Sequence, residues 1–241
     1  MNGATLHHAG LFRLAVYPCR GGRSPDLDND EHLRQLGRFV ARIHNVGSTT
    51  EFLQRPAIDI DAYGTDSIDY LLDEQVIPAE LEAAYTSVAE DVLDGVDACF
   101  ERAGNVNTLR LHGDLHPGNV LVAGDNFHLV DLDDTRTGPA VQDLWMFLSG
   151  DRHEQEPQLA ALLEGYAAFR AFDARELHLI EALRSLRIMH YAAWLARRWG
   201  DPAFQRAFPW FASLRYWDEH VLALREQLAL MQEPPLTVLD R

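Results

Sequence analysis

The chain has 241 residues, 47% hydrophobic and 24% charged, with a formal net charge of −16. That balance suits a core buried as one domain or two small ones; it excludes whole-chain disorder and collagen-like repeats, and the negative charge would repel a nucleic-acid backbone. All 21 basic residues are arginine, so every mechanism that requires a lysine within the chain is excluded: the GxxxxGK[ST] phosphate loop, pyridoxal Schiff-base chemistry and the SxxK hydrolases.

In chain order, residues 11–17 alternate weakly and predict a short strand, closed by Pro18 and the Gly21-Gly22 turn. Asn29 or Asp30 then caps a helix with Leu33, Leu36, Val40 and Ile43 on one face, stopped at Gly47. Residues 56–64 read as a loop and 68–76 as a short helix. Pro78 opens a longer helix that ends near Gly104. There the period changes. "TLRLH" and "NVLV" are strand candidates, and "FHLVD" pairs with the second across Gly124-Asp125-Asn126, setting Val122 opposite Phe127. From Pro139 onward helices are expected over about 139–149, 155–171, 174–199 and 214–231. The pattern is a mostly helical body carrying one small β-hairpin, with no internal repeat.

Cys19 and Cys99 are too few and too far apart for a disulfide framework or a cysteine-based zinc site. The opening "MNGATLHHAG" lacks the charged-then-apolar pattern of a signal peptide, and no apolar run approaches the roughly 20 residues that span a bilayer. A reducing, cytoplasmic setting is expected, without nucleic-acid or membrane partners.

The chemistry concentrates in "LHGDLHPGNVLVAGDNFHLVDLDD", residues 111–134. Antiparallel pairing carries Asn119 and Asp131 to the same open end of the hairpin. Paired strands lie about 4.8 Å apart, so an amide oxygen and a carboxylate there can share one hard cation such as Mg²⁺. Asp114, on the loop five residues before Asn119, can curl over the same spot and accept a proton from an attacking hydroxyl. His116 faces the same region and reads at least as well as a loop hydrogen-bonder. Three rival plans fit less well. "HLVDLDDT" matches a phospho-aspartate phosphatase strand, but the lysine that chemistry needs is missing. A calcium loop starting at Asp131 would need Gly and Glu where Arg136 and Gln142 stand. An HxDxH metal cluster of His112, Asp114 and His116 lacks a third histidine nearby.

A base Asp, a metal-binding Asn five residues on, a hairpin and a metal-binding Asp form the catalytic-loop plan of kinase-like phosphotransferases. Here "HGDLHPGN" resembles the aminoglycoside phosphotransferase and choline kinase-like superfamily, in which HGDxxxxN replaces the HRDxxxxN of protein kinases. The resemblance implies an α+β, mostly helical fold, the C-terminal lobe of a protein-kinase-like architecture with a small catalytic β-hairpin. It implies that Asp114 is the base, that Asn119 and Asp131 hold Mg²⁺, that His112 braces the loop, and that Asp143 binds the loop backbone. Only residues 132–138 separate Asp131 from the next expected helix, leaving no room for a phosphorylation-gated activation loop.

"LAVYPCRGGR", "GRFVARIH", "VDLDDTRTGPAVQDLWMFLSGD" and "YAAWLARRWGDPAF" occur in the order found in bacterial stress-response kinases of that superfamily and resemble them. ATP is then the phosphoryl donor, and the acceptor a Ser/Thr hydroxyl of a protein; a cationic aminoglycoside or amino alcohol is the runner-up. Val16, Tyr17, Pro18 and Cys19 would form the hinge whose backbone touches adenine. Members of the superfamily place an ATP-covering lobe, with a glycine loop and a lysine, before that hinge, whereas here only ten residues precede "LFRLAVYP". The expectation is that residues 1–22 are a remnant of the N-lobe and hinge and 23–241 the catalytic lobe. The isolated chain would then be nearly inactive, with a missing lobe or covering chain as partner; an inactive binding or regulatory remnant is the alternative. The aromatic run around Trp194, Trp199, Trp210 and Trp217 reads as core, Arg197 and Arg198 as a solvated or carboxylate-paired face, and Asp218 or Glu219 as possible acceptor contacts.

Overall fold

The first long element forms where a cap, a charge pattern and an apolar stripe agree. In the computed structural model, which describes residues 6–124 and 126–238, helix α1 covers Asp30–Gly47. Its cap is Asn29, whose side chain accepts from the amides of Glu31 and His32, and Asp30 and Glu31 place negative charge on the first turn. Leu33, Leu36, Val40 and Ala41 are buried, but Ile43 is only partly so; the fully buried residue on that turn is His44.

Before α1, strands β1 (His7–Ala9) and β2 (Phe12–Leu14) form an exposed antiparallel hairpin. The strand expected over 11–17 is therefore shorter. Pro18 has no N–H to offer a ladder, and residues 15–22 run on without strand structure until Arg23 bridges to Val122, with Val122 N donating to Arg23 O at 2.7 Å. The expected loop over 56–64 contains a π-helical turn, Asp61–Thr65, leading into α2 (Asp66–Asp73). Helix α3 (Ala79–Ala103) follows Pro78 and stops at Gly104, which adopts φ +66°.

Strand β3 (Thr108–Leu111) precedes a 3₁₀ turn at Pro117–Asn119 and the hairpin of β4 (Val120–Ala123) and β5 (Asn126–Leu129). Its register sets Val120 opposite Leu129 and Val122 opposite Phe127, as the spacing implied; the turn residue Asp125 lies outside the described residues. A further strand, β6 (Arg136–Pro139), pairs with β3 and corrects the expectation that a helix starts at Pro139. "RTGP" carries poor strand propensity, and its partner lies about 30 residues back, so only tertiary pairing makes it a strand. Helix α4 is the short Gln142–Trp145 segment, and α5 (Arg152–Ala167) begins with a capping box of Asp151 and Glu154. The helix expected over 174–199 is a 3₁₀ segment, Ala174–Leu179, followed by α6 (Ile180–Arg198). The unanticipated α7 (Pro202–Ala207) then leads to α8 (Leu214–Met231).

One apolar cluster joins these elements, with α1 packed along α5 and α3 along α8. The first pair approaches to backbone contact, since a Cβ at Gly37 would strike the backbone of Leu162, and one at Gly165 the backbone of Arg34. That closeness brings His44 to within 2.8 Å of the Tyr166 hydroxyl. The aromatic run divides: Phe211 and Trp217 are core, but Tyr191 and Trp194 line a cleft. Arg197 and Arg198 are exposed, as a solvated face requires, and lie over the rings of Tyr70 and Trp194. Among the described residues no helix is long and apolar enough to cross a membrane.

Candidate functional site

The segment after β3 is fixed by a buried carboxylate. Asp143, fully inaccessible on α4, accepts from the backbone amides of His112 and Gly113, both at 2.8 Å, and lies 3.0 Å from His44 Nε2. The network closes when His44 donates to Asp143 through Nε2 and accepts the Tyr166 hydroxyl on Nδ1, so α1, α4 and α5 converge on two loop amides. Gln142 supplies a further clamp. Its amide donates to Gly113 O at 2.9 Å, while Trp145 Nε1 donates to its oxygen at 3.1 Å. Gly113 adopts φ +87°, and a Cβ there would strike the Asp134 carbonyl, so glycine lets the loop touch the segment that follows β5.

The ring of His112 is buried and its Nε2 donates to Val130 O at 2.8 Å, tying the loop to the end of β5. From the other side Asn119 Nδ2 donates to Asp114 O at 2.9 Å, and Val130 N donates to Asn119 O at 3.0 Å. The hairpin thus carries Asn119 and the residue before Asp131 to one end. Asp131 is exposed and left-handed, φ +62°, and its successors are held by Arg55, whose Nη1 lies 3.1 Å from Thr135 O.

Asp114 lines a cleft of about 220 Å³ with Asp131, Asp134, Tyr63, Arg187 and His190. Arg187 Nη2 forms an ion pair with the buried Asp114 Oδ1 at 2.7 Å. His116 accepts from Gly118 N on Nδ1 at 3.0 Å, the role of a loop hydrogen-bonder, and its Nε2 stands 3.7 Å from Asp114 Oδ2. His190 stacks on Tyr63 with ring centroids 4.0 Å apart, and burial pushes its pKa down to about 4, so it is neutral near pH 7. Asp218 and Glu219, considered as acceptor contacts, do not line this cleft; both are exposed and Glu219 pairs with Arg215 at 2.8 Å.

The donor set suits a hard cation. The hydrogen bond from Asn119 Nδ2 leaves its amide oxygen free, and Asp131 offers an exposed carboxylate, so both would present oxygen. Among the described residues no group of three or more His, Cys, Asp or Glu side chains has metal-site spacing, so these two ligands would have to be completed by phosphate and water oxygens. Val16, Tyr17 and Cys19 lie on the exposed stretch, with Pro18 between them, before the Arg23 bridge to β4.

Sequence reading missed His44, Gln142, Arg55 and Arg187. A signal existed for His44, which shares the heptad-spaced face of Gly37 and Val40. Nothing marked Arg187 among so many arginines.

Residues 2–180 match the model of a family described as "Phosphotransferase enzyme family". The chain is 43% identical over 235 residues to stress response kinase A of Escherichia coli K12, covering 98% of this chain and 71% of that one. It is 42% identical, with the same coverage, to a Salmonella typhimurium protein named serine/threonine protein kinase RdoA. Among solved structures it resembles amicoumacin kinase hAmiN, in complex with AMP-PNP, Ca²⁺ and Ami. There the TM-score is 0.65 at 17% identity, covering 99% of this chain and 72% of the other. A choline/ethanolamine kinase family protein of Mesorhizobium loti gives 0.62 at 18% identity, covering 95% and 74%.

Proposed function

The chain belongs to the phosphotransferase enzyme family, and from that premise we propose a Mg-ATP-dependent kinase acting on Ser/Thr hydroxyls of protein substrates. The observation that carries this reading is the cleft that Asp114 shares with Asp131, with Asn119 tied to the Asp114 loop.

In this mechanism Asp114 takes the proton as the acceptor O–H bond breaks. The new O–P bond forms on the γ-phosphorus, and the bond to the β-phosphate oxygen breaks, releasing ADP. Asn119 and Asp131 would hold Mg²⁺, which when bound neutralises charge on the phosphates. His112, Asp143 and Gln142 keep the loop rigid so that the base needs little reorganisation. Backbone groups at Val16, Tyr17, Pro18 and Cys19 would face adenine, with residues 1–22 as the hinge segment and 23–241 as the catalytic lobe; residues 1–5 and 239–241 lie outside the described ones.

One point favours a protein acceptor: the Salmonella relative is named a serine/threonine protein kinase. A second reading is a nucleotide-binding or regulatory lobe without turnover, since within these 241 residues there is no lysine to meet ATP phosphates.

Radiolabelled phosphoryl transfer to a generic protein substrate, with the modified residue identified by mass spectrometry, tests the proposal. With an ATP-covering lobe joined ahead of the hinge, Asp114→Asn should leave Mg-ATP binding within about twofold and remove transfer by at least about a hundredfold, since the base acts on the acceptor. Asp131→Ala should weaken Mg-ATP binding as well. With that lobe in place, equal transfer by Asp114→Asn and its parent would dismiss Asp114 as the base, and nucleotide binding without any transfer would favour the second reading.

A further inference from the structure

The cleft beside Asp114 does not end at Arg187 and Tyr191. Both residues also line a second chamber, of about 400 Å³, completed by Trp145, Arg184, Ile188 and Gln227. Helix α6 is the shared floor. Arg184, Arg187, Ile188 and Tyr191 recur on it at steps of three and four, so they share one face. The seven steps from Arg184 to Tyr191 cover about 10 Å at 1.5 Å per residue, a length that an extended peptide crosses in about three residues.

The chemistry of this chamber differs from that of the catalytic cleft. Its walls are Trp145, Ile188 and Tyr191, and its exposed surface is mainly apolar. The cations it contains are engaged elsewhere: Arg184 binds Glu181 and Gln155, each at 3.1 Å, and lies over Trp145, while Arg187 faces Asp114. The polar group left over is on Gln227, whose Oε1 is buried without a hydrogen-bond partner. An apolar body bearing or adjoining an N–H donor would satisfy both features.

We propose that this chamber is a specificity subsite for the polypeptide acceptor, taking an aromatic side chain two or three residues from the phosphorylated Ser/Thr and donating that residue's N–H to Gln227. The inference rests on the protein-kinase reading and narrows it. An extended segment would then lie along α6 with its hydroxyl at Asp114 and its aromatic ring between Trp145, Ile188 and Tyr191.

Fluorescence anisotropy of dye-labelled seven-residue peptides tests it without turnover. Each peptide has one central Ser and carries Trp, Gly, Asp or Lys at the second and third positions on both sides. The full chain should bind the Trp peptide at least about tenfold more tightly than the Gly peptide. Ile188→Asp, which charges the chamber, and Ile188→Trp, which fills it, should each abolish that preference with an unchanged circular dichroism spectrum, and Gln227→Leu should reduce it severalfold. Two variants of opposite character guard against a folding artefact. Equal or undetectable binding of the Trp and Gly peptides overturns the proposal, as does a preference that survives both Ile188 variants. Tighter binding of the Asp or Lys peptide overturns it too, giving the chamber to a charged residue. Mg-ATP affinity, measured on the same samples and on Asp131→Ala, reports separately on the kinase reading.

Discussion

Asp143→Asn is the substitution whose consequence follows most directly from geometry. The carboxylate serves three donors, the amides of His112 and Gly113 at 2.8 Å and His44 Nε2 at 3.0 Å, and is wholly buried. An amide of the same shape has one acceptor. Oriented best, it keeps the pair on the Oδ2 side and turns its NH₂ toward Gly113 N, setting donor against donor. Losing one hydrogen bond to a charged group is worth about 1.5–3 kcal/mol, and the two that survive weaken when their acceptor becomes neutral. The expected loss is about 3–4 kcal/mol, a large part of the roughly 5–15 kcal/mol that holds a domain together. Guanidinium unfolding followed by far-UV circular dichroism measures it, with unchanged m showing that the comparison is fair. His44→Ala should then cost less in the Asp143→Asn background than in the unmodified chain, because the two side chains share one network. A loss below about 1 kcal/mol with strictly additive effects would refute the claim that Asp143 holds the loop.

Two further outcomes follow from packing and titration. Gly165→Ala should destabilise by about 2 kcal/mol or more in the same unfolding assay, because its methyl would press on the Arg34 backbone where α1 and α5 touch; a neutral effect would mean that the helices are farther apart. His220 is buried between Tyr85, Tyr216 and Trp217, and burial lowers its pKa to about 4. A depressed folded pKa means that its contribution is complete above about 6.5 and is lost as pH falls toward 4, about 2–3 kcal/mol by pH 4.5. His220→Phe should remove that part of the acid loss in unfolding curves at pH 7 and 4.5. Glu176, pushed up to about 7 by burial, acts in the opposite direction, contributing fully below about 4.5 and fading as pH rises through 7. Its effect cancels when variant and parent are compared at the same pH.

The hairpin and α1 were legible because each is a local pattern: a turn between apolar runs, and a cap before a periodic stripe. Val122 opposite Phe127 needed only the turn length. What was hidden is what depends on distance along the chain. Strand β6 exists through β3, His44 has a polar purpose through α4 and α5, and Arg187 meets Asp114 from a helix more than 70 residues downstream. The aromatic residues near Trp194 misled in the other direction. Aromatic-rich text reads as core, but the cleft takes Tyr191 and Trp194 for its wall, while the neighbouring arginines are exposed as expected and lie on rings.

The backbone at Asp131 carries a conflict between two demands. Its φ of +62° lies where a side chain is tolerated only at a penalty of about 1 kcal/mol relative to glycine. Folding alone would therefore choose glycine there, whereas the proposed cation ligand must be a carboxylate. If both demands act, a library randomised at position 131 and sorted for thermal resistance would drift to one letter, and the same library sorted for catalysis to another. The enzyme would live with a slightly strained residue because the two tests are never run separately in a cell.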